Sequence, residues 1–302
     1  MLEVSLLGTG GMMPKKERFL AAAYLRYLGE GLLIDCGEGT QIAFKNAGYA
    51  FKQIGVLCIT HFHADHISGL PGLLLSMGNE GRTEPLVILG PHGLAKVVAA
   101  LRIIAPELPF AVECRETDSR EMTWQVGAYT VTAFRVRHNI PCVGYTIKTA
   151  RPGKFLPEMA KQNNVPRAVW SELQKAETAT HEGVTYTADM VLGPKRRGFH
   201  ITYATDTRPI SEIAVQAADA DLFICEGMYG DADKQEKAAL VGHMTFAEAA
   251  MLADAAKPRR FWLTHFSPAV TAPEEHLTAA TDIFPAAICG TDGMTIDIPF
   301  DE

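Results

Sequence analysis

The feature that most constrains this chain is a cluster of metal-binding side chains, HFHADH, which begins at His61. It follows almost directly on an apolar run, VLCI, that is typical of a buried β-strand. In an extended chain, side chains two positions apart lie on one face, so His61 and His63 are predicted to share one metal ion. If the chain then turns, Asp65 and His66 reach the same opening and bind a second ion. Imidazole nitrogens and a carboxylate, without cysteine, are ligands for Zn²⁺ or a similar divalent transition ion.

Three other apolar runs carry a potential ligand at the same place, directly after the predicted strand. The four runs and the side chains that follow them are 56–59 with His61, 129–136 with His138, 200–204 with Asp206, and 261–263 with His265. In a layered α/β protein, strand ends meet at one rim, which is a common place for a functional site. The four side chains are therefore predicted to lie together.

Strand-like and helix-like runs alternate along the chain, which predicts an α/β fold in a single domain over residues 1–302. Residues 93–104 have apolar side chains at helical spacing. A second helix is predicted at 246–256, because Thr245 and Glu248 form a capping box at its start.

Residues 151–197 differ from the rest of the chain and are predicted to form an excursion from the core. They contain four prolines, more charge and less apolar periodicity, with one short helix predicted after Pro166. From 148 to 197 there are nine Lys or Arg against five Asp or Glu, although the whole chain has a formal net charge of −7. This basic stretch is either a solvated face or a binding surface for an anionic partner such as nucleic acid.

The composition is that of a globular protein with a large core, since 47% of the residues are hydrophobic. No apolar run is long enough to span a bilayer, and the N-terminus does not have the pattern of a signal peptide. The six cysteines are scattered, several of them within apolar runs, as expected for free thiols. We therefore expect a cytoplasmic protein with no membrane partner.

Several motifs together resemble the ribonuclease Z family of the metallo-β-lactamase superfamily. The motifs are HFHADH at 61–66, LGTG at 7–10, DCGEGTQ at 35–41 and GLPGLL at 69–74. The resemblance covers nearly the whole chain. It implies a four-layer αββα sandwich with an inserted arm, and an endonuclease that trims the 3′ end of precursor tRNA.

The resemblance also implies two divalent metal ions, Zn²⁺ first and Mn²⁺ as the alternative, and it assigns their ligands. They are His61, His63 and His138 for the first ion, Asp65, His66 and His265 for the second, and Asp206 between the two. Asp65 would also accept the proton of the attacking water, and Glu226 with His243 would protonate the leaving 3′-oxygen. A carboxylate beside an imidazole orients it and raises its pKa, which suits an acid near neutral pH. Glu226 as a simple strand end, and His243 as a helix cap, are the structural alternatives.

The resemblance assigns binding of the tRNA to the excursion at 151–197, with Lys195, Arg196 and Arg197 as candidate contacts. The oligomeric state is left open, with a homodimer as one expectation.

Three features of the sequence depart from the usual motifs of the family. Ala64 replaces a usual glycine, the Gly-Pro motif of the arm is missing, and SPAV at 267–270 replaces Ser-x-Arg-Tyr. From the last change we expect a cation and an aromatic group to be missing near the site.

Two other functions are compatible with these residues. A metallo-phosphodiesterase that acts on small or cyclic nucleotides would need the same ligands but no arm. A non-catalytic protein that binds RNA or metal would be favoured if ligands were missing, and all seven candidate ligands are present in the sequence.

Overall fold

Strands and helices alternate along residues 1–300, the part of the chain that the computed structural model describes. The strands are β1 Leu2–Gly8, β2 Ala22–Tyr27, β3 Glu30–Ile34, β4 Ile54–Cys58, β5 Leu86–Pro91, β6 Val112–Thr117, β7 Glu121–Val126, β8 Tyr129–Arg135, β9 Val143–Thr149, β10 Thr178–His181, β11 Val184–Thr187, β12 His200–Ala204, β13 Leu222–Glu226, β14 Phe261–Thr264, β15 Ala287–Cys289 and β16 Thr295–Ile298. The α-helices are α1 Thr40–Asn46, α2 Ala64–Ile67, α3 Leu70–Asn79, α4 Leu94–Leu101, α5 Pro157–Gln162, α6 Trp170–Leu173, α7 Ser211–Gln216, α8 Gln235–Val241, α9 Phe246–Ala256 and α10 Thr278–Thr281.

These elements form two units, of which the first comprises Met1–Lys148 and Phe199–Phe300 and the second Thr149–Gly198. The first unit contains two seven-stranded sheets. One has the order β16-β1-β2-β3-β4-β5-β6, and the other has the order β15-β14-β13-β12-β9-β8-β7. Strands β3 to β6 run parallel in the first sheet, and β12 to β15 run parallel in the second. Their carboxyl ends therefore form continuous rims.

The two sheets pack face to face, and helices cover their outer faces. Buried side chains from both sheets, such as Val56 and Tyr145, form the central layer of the core. A second apolar cluster joins the first sheet to α1 and α3, and a third joins the other sheet to α7 and α9. The order of layers is helix, sheet, sheet, helix, so the predicted four-layer sandwich is confirmed.

Both predicted helices are present, and α9 has the predicted bounds, 246–256. The capping box is formed, since the Thr245 hydroxyl accepts from the Glu248 amide and the Glu248 carboxylate accepts from the Thr245 amide. The helix predicted at 93–104 ends as α4 at Leu101, and a single 3₁₀ turn follows it. Pro106 explains why this turn ends at Ile104, because a proline disfavours helical backbone at the residue before it.

The second unit has more regular structure than the sequence suggested. The prediction of one short helix was incomplete, because the unit contains α5, α6 and a hairpin of β10 and β11. At the hairpin turn, Glu182 and Gly183 have φ of 49° and 78°, as a type I′ turn requires. A small apolar core, including Ala160 and Leu173, packs within the unit.

The glycine-rich turn after β3 fixes the position of the HFHADH motif. The amide of Cys36 donates to the carbonyl of His66 over 2.8 Å, and the amide of Gly69 donates to the carbonyl of Cys36 over 2.9 Å. A Cβ atom on Gly37 would collide with the backbone carbonyl of Asp65. Only glycine allows the two backbone segments to approach so closely.

Candidate metal centre

The first group of predicted ligands converges around Asp206. The ring nitrogens His61 Nε2 and His63 Nδ1 are 3.0 Å apart, and His138 Nε2 lies 3.3 Å from the same His63 atom. Asp206 Oδ2 lies 3.6 Å from His61 Nε2 and 3.8 Å from His138 Nε2. One ligand atom from each of the four residues lies within 4.8 Å of the others, which suits a single cation.

The second group meets the other oxygen of the same carboxylate. Asp206 Oδ1 is 3.2 Å from His66 Nε2 and 3.2 Å from His265 Nε2. Asp65 Oδ2 completes this group, at 3.5 Å from the His66 nitrogen and 3.6 Å from the His265 nitrogen. The structure thus brings all seven predicted residues together, with Asp206 between the two groups.

Local backbone geometry places these side chains. His63 has an extended backbone and occupies the N-cap position of α2. Asp65 and His66 therefore project from the first turn of that helix. Ala64 is the first residue of α2 and lies in the helical region, so its methyl group is tolerated there. Asp206 and His265 have φ of 49° and 60°, a conformation that costs free energy for residues other than glycine. Such strain is concentrated at functional sites.

Hydrogen bonds behind the cluster orient the imidazole rings. The buried Asp35 carboxylate accepts from the Thr60 amide at 2.8 Å, and its Oδ2 lies 2.8 Å from His66 Nδ1. His138 Nδ1 lies 3.1 Å from the carbonyl oxygen of Gly242. Each contact aims the Nε2 atom at the cluster, as a metal ligand requires.

The charges of the cluster favour a bound cation. Burial lowers the pKa of His66, but the carboxylates of Asp206 and Asp35 outweigh burial and hold that pKa well above its ordinary value. Burial also opposes ionisation of Asp206, yet the surrounding histidines lower the pKa of its carboxyl group. The site therefore attracts positive charge, and nitrogen and oxygen ligands without thiolate fit Zn²⁺ or Mn²⁺.

Glu226 and His243 form a pair beside the cluster. Glu226 ends β13 and is fully buried, and both of its carboxylate oxygens lie 3.2 Å from His243 Nδ1. The Met244 amide also donates to Glu226, at 3.1 Å. Burial lowers the pKa of His243, but the Glu226 carboxylate outweighs it and raises that pKa to about 9. His243 Nε2 lies 3.9 Å from Asp206 Oδ2, so the imidazole faces the cluster.

Two further contacts near the cluster were not anticipated from the sequence. The guanidinium of Arg208 donates to the His243 carbonyl and to both oxygens of Glu248. The amide of Met12 donates to Asp65 Oδ2 at 2.7 Å, and Met12 has a φ of 67°. Only their positions in the sequence hinted at these two contacts. Arg208 lies two residues after Asp206, and Met12 lies near the LGTG motif.

A cation and an aromatic ring contact each other beside His265, although neither comes from the position of the Ser-x-Arg-Tyr motif. The Arg18 guanidinium lies 5.5 Å from the centre of the Phe266 ring and donates to the Val270 carbonyl at 2.7 Å. The N-terminal loop therefore provides this cation, and the residue directly after His265 provides the ring.

The proposed arm residues belong to the second unit. Arg196 donates from Nε to the Pro152 carbonyl at 2.9 Å, and Lys195 and Arg196 line a cavity of about 410 Å³ within that unit. Arg197 lies next to them in sequence.

Comparisons with known proteins agree with this architecture. A family model described as a beta-lactamase superfamily domain matches residues 31–266, so the fold and the cluster define a metal-dependent hydrolase of that superfamily. The chain is 53% identical to a ribonuclease Z of Lachnoclostridium phytofermentans, over 100% of this chain and 99% of the relative. It is 52% identical to a ribonuclease Z of Agathobacter rectalis, with both chains fully covered. The chain belongs to the ribonuclease Z family.

A solved structure of a tRNase Z also matches this chain. The short form of human tRNase Z matches with a TM-score of 0.72 and 26% identity, over 99% of this chain and 100% of that chain. Among residues 1–300, no helix is both long and apolar enough to cross a bilayer.

Proposed function

We propose that this protein is a metal-dependent endonuclease that trims the 3′ end of precursor tRNA. The observation that carries the proposal is the convergence of seven histidine and aspartate side chains, with the Glu226–His243 pair beside them. The family membership supports the same activity, because relatives that match over their full length are named ribonuclease Z.

Two divalent ions would occupy the cluster, with the ligand assignment that the family resemblance implies. His61, His63 and His138 would hold one ion, Asp65, His66 and His265 the other, and Asp206 would contact both. Such a pair of ions supplies Lewis acidity that activates water and the phosphate group. We favour Zn²⁺ over Mn²⁺, because five of the seven ligands are imidazoles.

Asp65 and His243 would move the protons of the reaction. Asp65 Oδ2 accepts from the Met12 amide, which holds the carboxylate in place as an acceptor for the proton of the attacking water. His243 would give a proton to the departing ribose 3′-oxygen. Glu226 favours this role, because it both orients the imidazole and raises its pKa.

The second unit would be the arm that binds the tRNA body, inserted into one catalytic domain. It carries most of the basic stretch found in the sequence, including Lys195, Arg196 and Arg197. Cations far from the scissile bond add affinity that decreases steeply with salt. Replacing the three cations with glutamine should raise KM for precursor tRNA and flatten its salt dependence, and wild-type KM at every salt concentration would reject the arm.

We also propose that the protein is cytoplasmic and forms a homodimer. All six cysteines are free and five are buried, as expected in the reducing cytoplasm. The neighbouring residues Ile103 and Ile104 are 76% and 74% exposed, and a second copy in a homodimer would cover apolar surface of this kind. Light scattering of the purified protein measures the assembly directly.

One assay tests the central proposal. The protein is incubated with a 3′-extended precursor tRNA and, in parallel, with bis-p-nitrophenyl phosphate, with EDTA, Zn²⁺ or Mn²⁺. We expect metal-dependent release of the 3′ extension as one fragment, which distinguishes an endonuclease from an exonuclease. Intact precursor tRNA, together with rapid hydrolysis of a cyclic nucleotide, would instead identify the small-molecule phosphodiesterase.

A further inference from the structure

A cavity of about 440 Å³ in the first unit lies between the end of β5 and the end of β8. We call it the basic cavity, and its lining includes His92, Asp118, Arg120, Arg135, Cys142 and Val143. Two guanidinium groups and one carboxylate thus line it. None of these residues belongs to the seven-residue cluster or to the Glu226–His243 pair.

Two residues that line the basic cavity contact the residues that directly precede two of the predicted ligands. The amide of Val143 donates to the carbonyl of Thr60 at 3.0 Å, and Thr60 directly precedes the ligand His61. The thiol of Cys142 donates to the carbonyl of Thr205 at 3.8 Å, and Thr205 directly precedes the ligand Asp206.

The short stretch of chain between Arg135 and His138 limits the distance between the basic cavity and the cluster. Arg135 ends β8 three residues before His138, and three residues of extended chain span at most about 10 Å. The backbone at Arg135, which lines the basic cavity, is therefore within about 10 Å of the backbone at His138.

The two arginines are available for a ligand. Both are exposed, and among residues 1–300 neither guanidinium forms an ion pair or a side-chain hydrogen bond within the protein. Two other arginines are engaged, Arg208 with Glu248 and Arg18 with backbone carbonyls. Arg137, directly before His138, is exposed but does not line the basic cavity. Unpaired cations beside a nuclease centre, on a protein with a net charge of −7, indicate an anionic ligand.

We propose that the basic cavity is a subsite for the RNA backbone, in which Arg120 and Arg135 bind a phosphodiester group next to the scissile one. The inference rests on the proposed nuclease function. A guanidinium matches the geometry of phosphate oxygens with two parallel hydrogen bonds. Because phosphate contacts carry no base information, the subsite holds the strand in register regardless of its sequence.

The test replaces both arginines with glutamine (R120Q/R135Q). The control is K52Q/K257Q, which removes the same charge from two exposed lysines. Lys52 lies in the turn before β4, at the end opposite the cluster, and Lys257 pairs with the exposed Asp254. We measure KM and kcat for precursor tRNA from low to high salt. Binding of a fluorescein-labelled, 3′-extended RNA stem in EDTA provides a readout that is independent of turnover.

We expect R120Q/R135Q to raise KM and the dissociation constant at least about tenfold at low salt, with kcat little changed. The slope of log affinity against log salt should flatten by about one to two, as two phosphate contacts are lost. The control should keep the wild-type slope.

The outcomes separate the two proposals. Wild-type KM, affinity and salt slope in R120Q/R135Q, while the wild-type enzyme cleaves precursor tRNA, would overturn the subsite alone. An equal change in K52Q/K257Q would also overturn it, because the effect would then be one of net charge. A wild-type protein that neither binds nor cleaves the RNA would overturn both proposals.

Discussion

Replacing Arg208 with glutamine should destabilise the protein by about 2–3 kcal/mol, because Arg208 connects two segments beside the metal centre. Its side chain is only 16% exposed and that of its partner Glu248 only 8%. Glu248 also accepts from the Thr245 amide, at 3.0 Å, at the start of α9. The same guanidinium donates to the His243 carbonyl, so one side chain ties the Asp206 strand end to the loop of the proposed acid.

The magnitude follows from what the substitution leaves behind. Removing one partner of a fully buried ion pair costs about 3–5 kcal/mol, because the remaining charge is unpaired. Residual exposure and the amide of glutamine reduce this cost to about 2–3 kcal/mol. Unfolding entropy of about 2.1 cal/mol/K per residue converts it to a decrease in Tm of roughly 3–5 °C for a chain of 302 residues.

The assay is thermal unfolding of metal-free protein, followed by circular dichroism. Arg26→Gln is the matched control, since Arg26 pairs with Glu3 at side-chain exposures of 38% and 18%. An ion pair of that kind is worth less than about 1 kcal/mol. A double substitution, R208Q/E248Q, should recover part of the loss because no unpaired carboxylate remains.

The pH dependence provides a second check on this ion pair. Burial opposes ionisation of Glu248, but hydrogen bonds from Arg208 and the Thr245 amide outweigh it and lower the pKa of Glu248 below its ordinary 4.5. A carboxyl group with a lowered pKa in the folded state stabilises the protein above pH 4.5 and loses this effect as the pH falls further. The Tm difference between wild type and R208Q should therefore shrink below that pH. A difference no larger than that of Arg26→Gln, or independent of pH, would refute the reasoning.

Three further predictions concern the metal centre. Asp65→Ala should abolish hydrolysis of precursor tRNA and of bis-p-nitrophenyl phosphate while circular dichroism stays unchanged; residual turnover above a few percent would contradict its double role. His243→Ala should slow cleavage of precursor tRNA by about 10²–10⁴-fold, and much less the loss of p-nitrophenolate, which leaves without a proton. Equal losses on both substrates would argue against an acid. Chelation should lower Tm, and Zn²⁺ or Mn²⁺ should restore it, because Asp65 and Asp206 are left without a neutralising cation; an unchanged Tm would count against a resident metal.

The sequence determined those parts of the site that depend on local geometry. The spacing of His61 and His63 on extended chain, and the turn that brings Asp65 and His66 round, place four side chains within a few residues. The position of a ligand after each apolar run indicated that His138, in particular, would reach the same rim. The start of α9 was also predictable from local sequence, because its capping box joins Thr245 and Glu248, which are three residues apart.

Local sequence patterns did not place Asp206 between the two groups; the family resemblance implied that position, and only the tertiary structure shows the contacts with His66 and His265, which are 199 residues apart in the chain. The Arg208–Glu248 pair, 40 residues apart, and the Arg18–Val270 contact, 252 apart, have no periodic signal in the sequence. Periodicity reports which face of an element is apolar, and it carries no information on which charged side chains meet when distant elements pack. The basic cavity combines both kinds of contact. Arg120 and Arg135 meet locally, across the β7–β8 hairpin, whereas the end of β5 reaches the same cavity only through packing of distant strands.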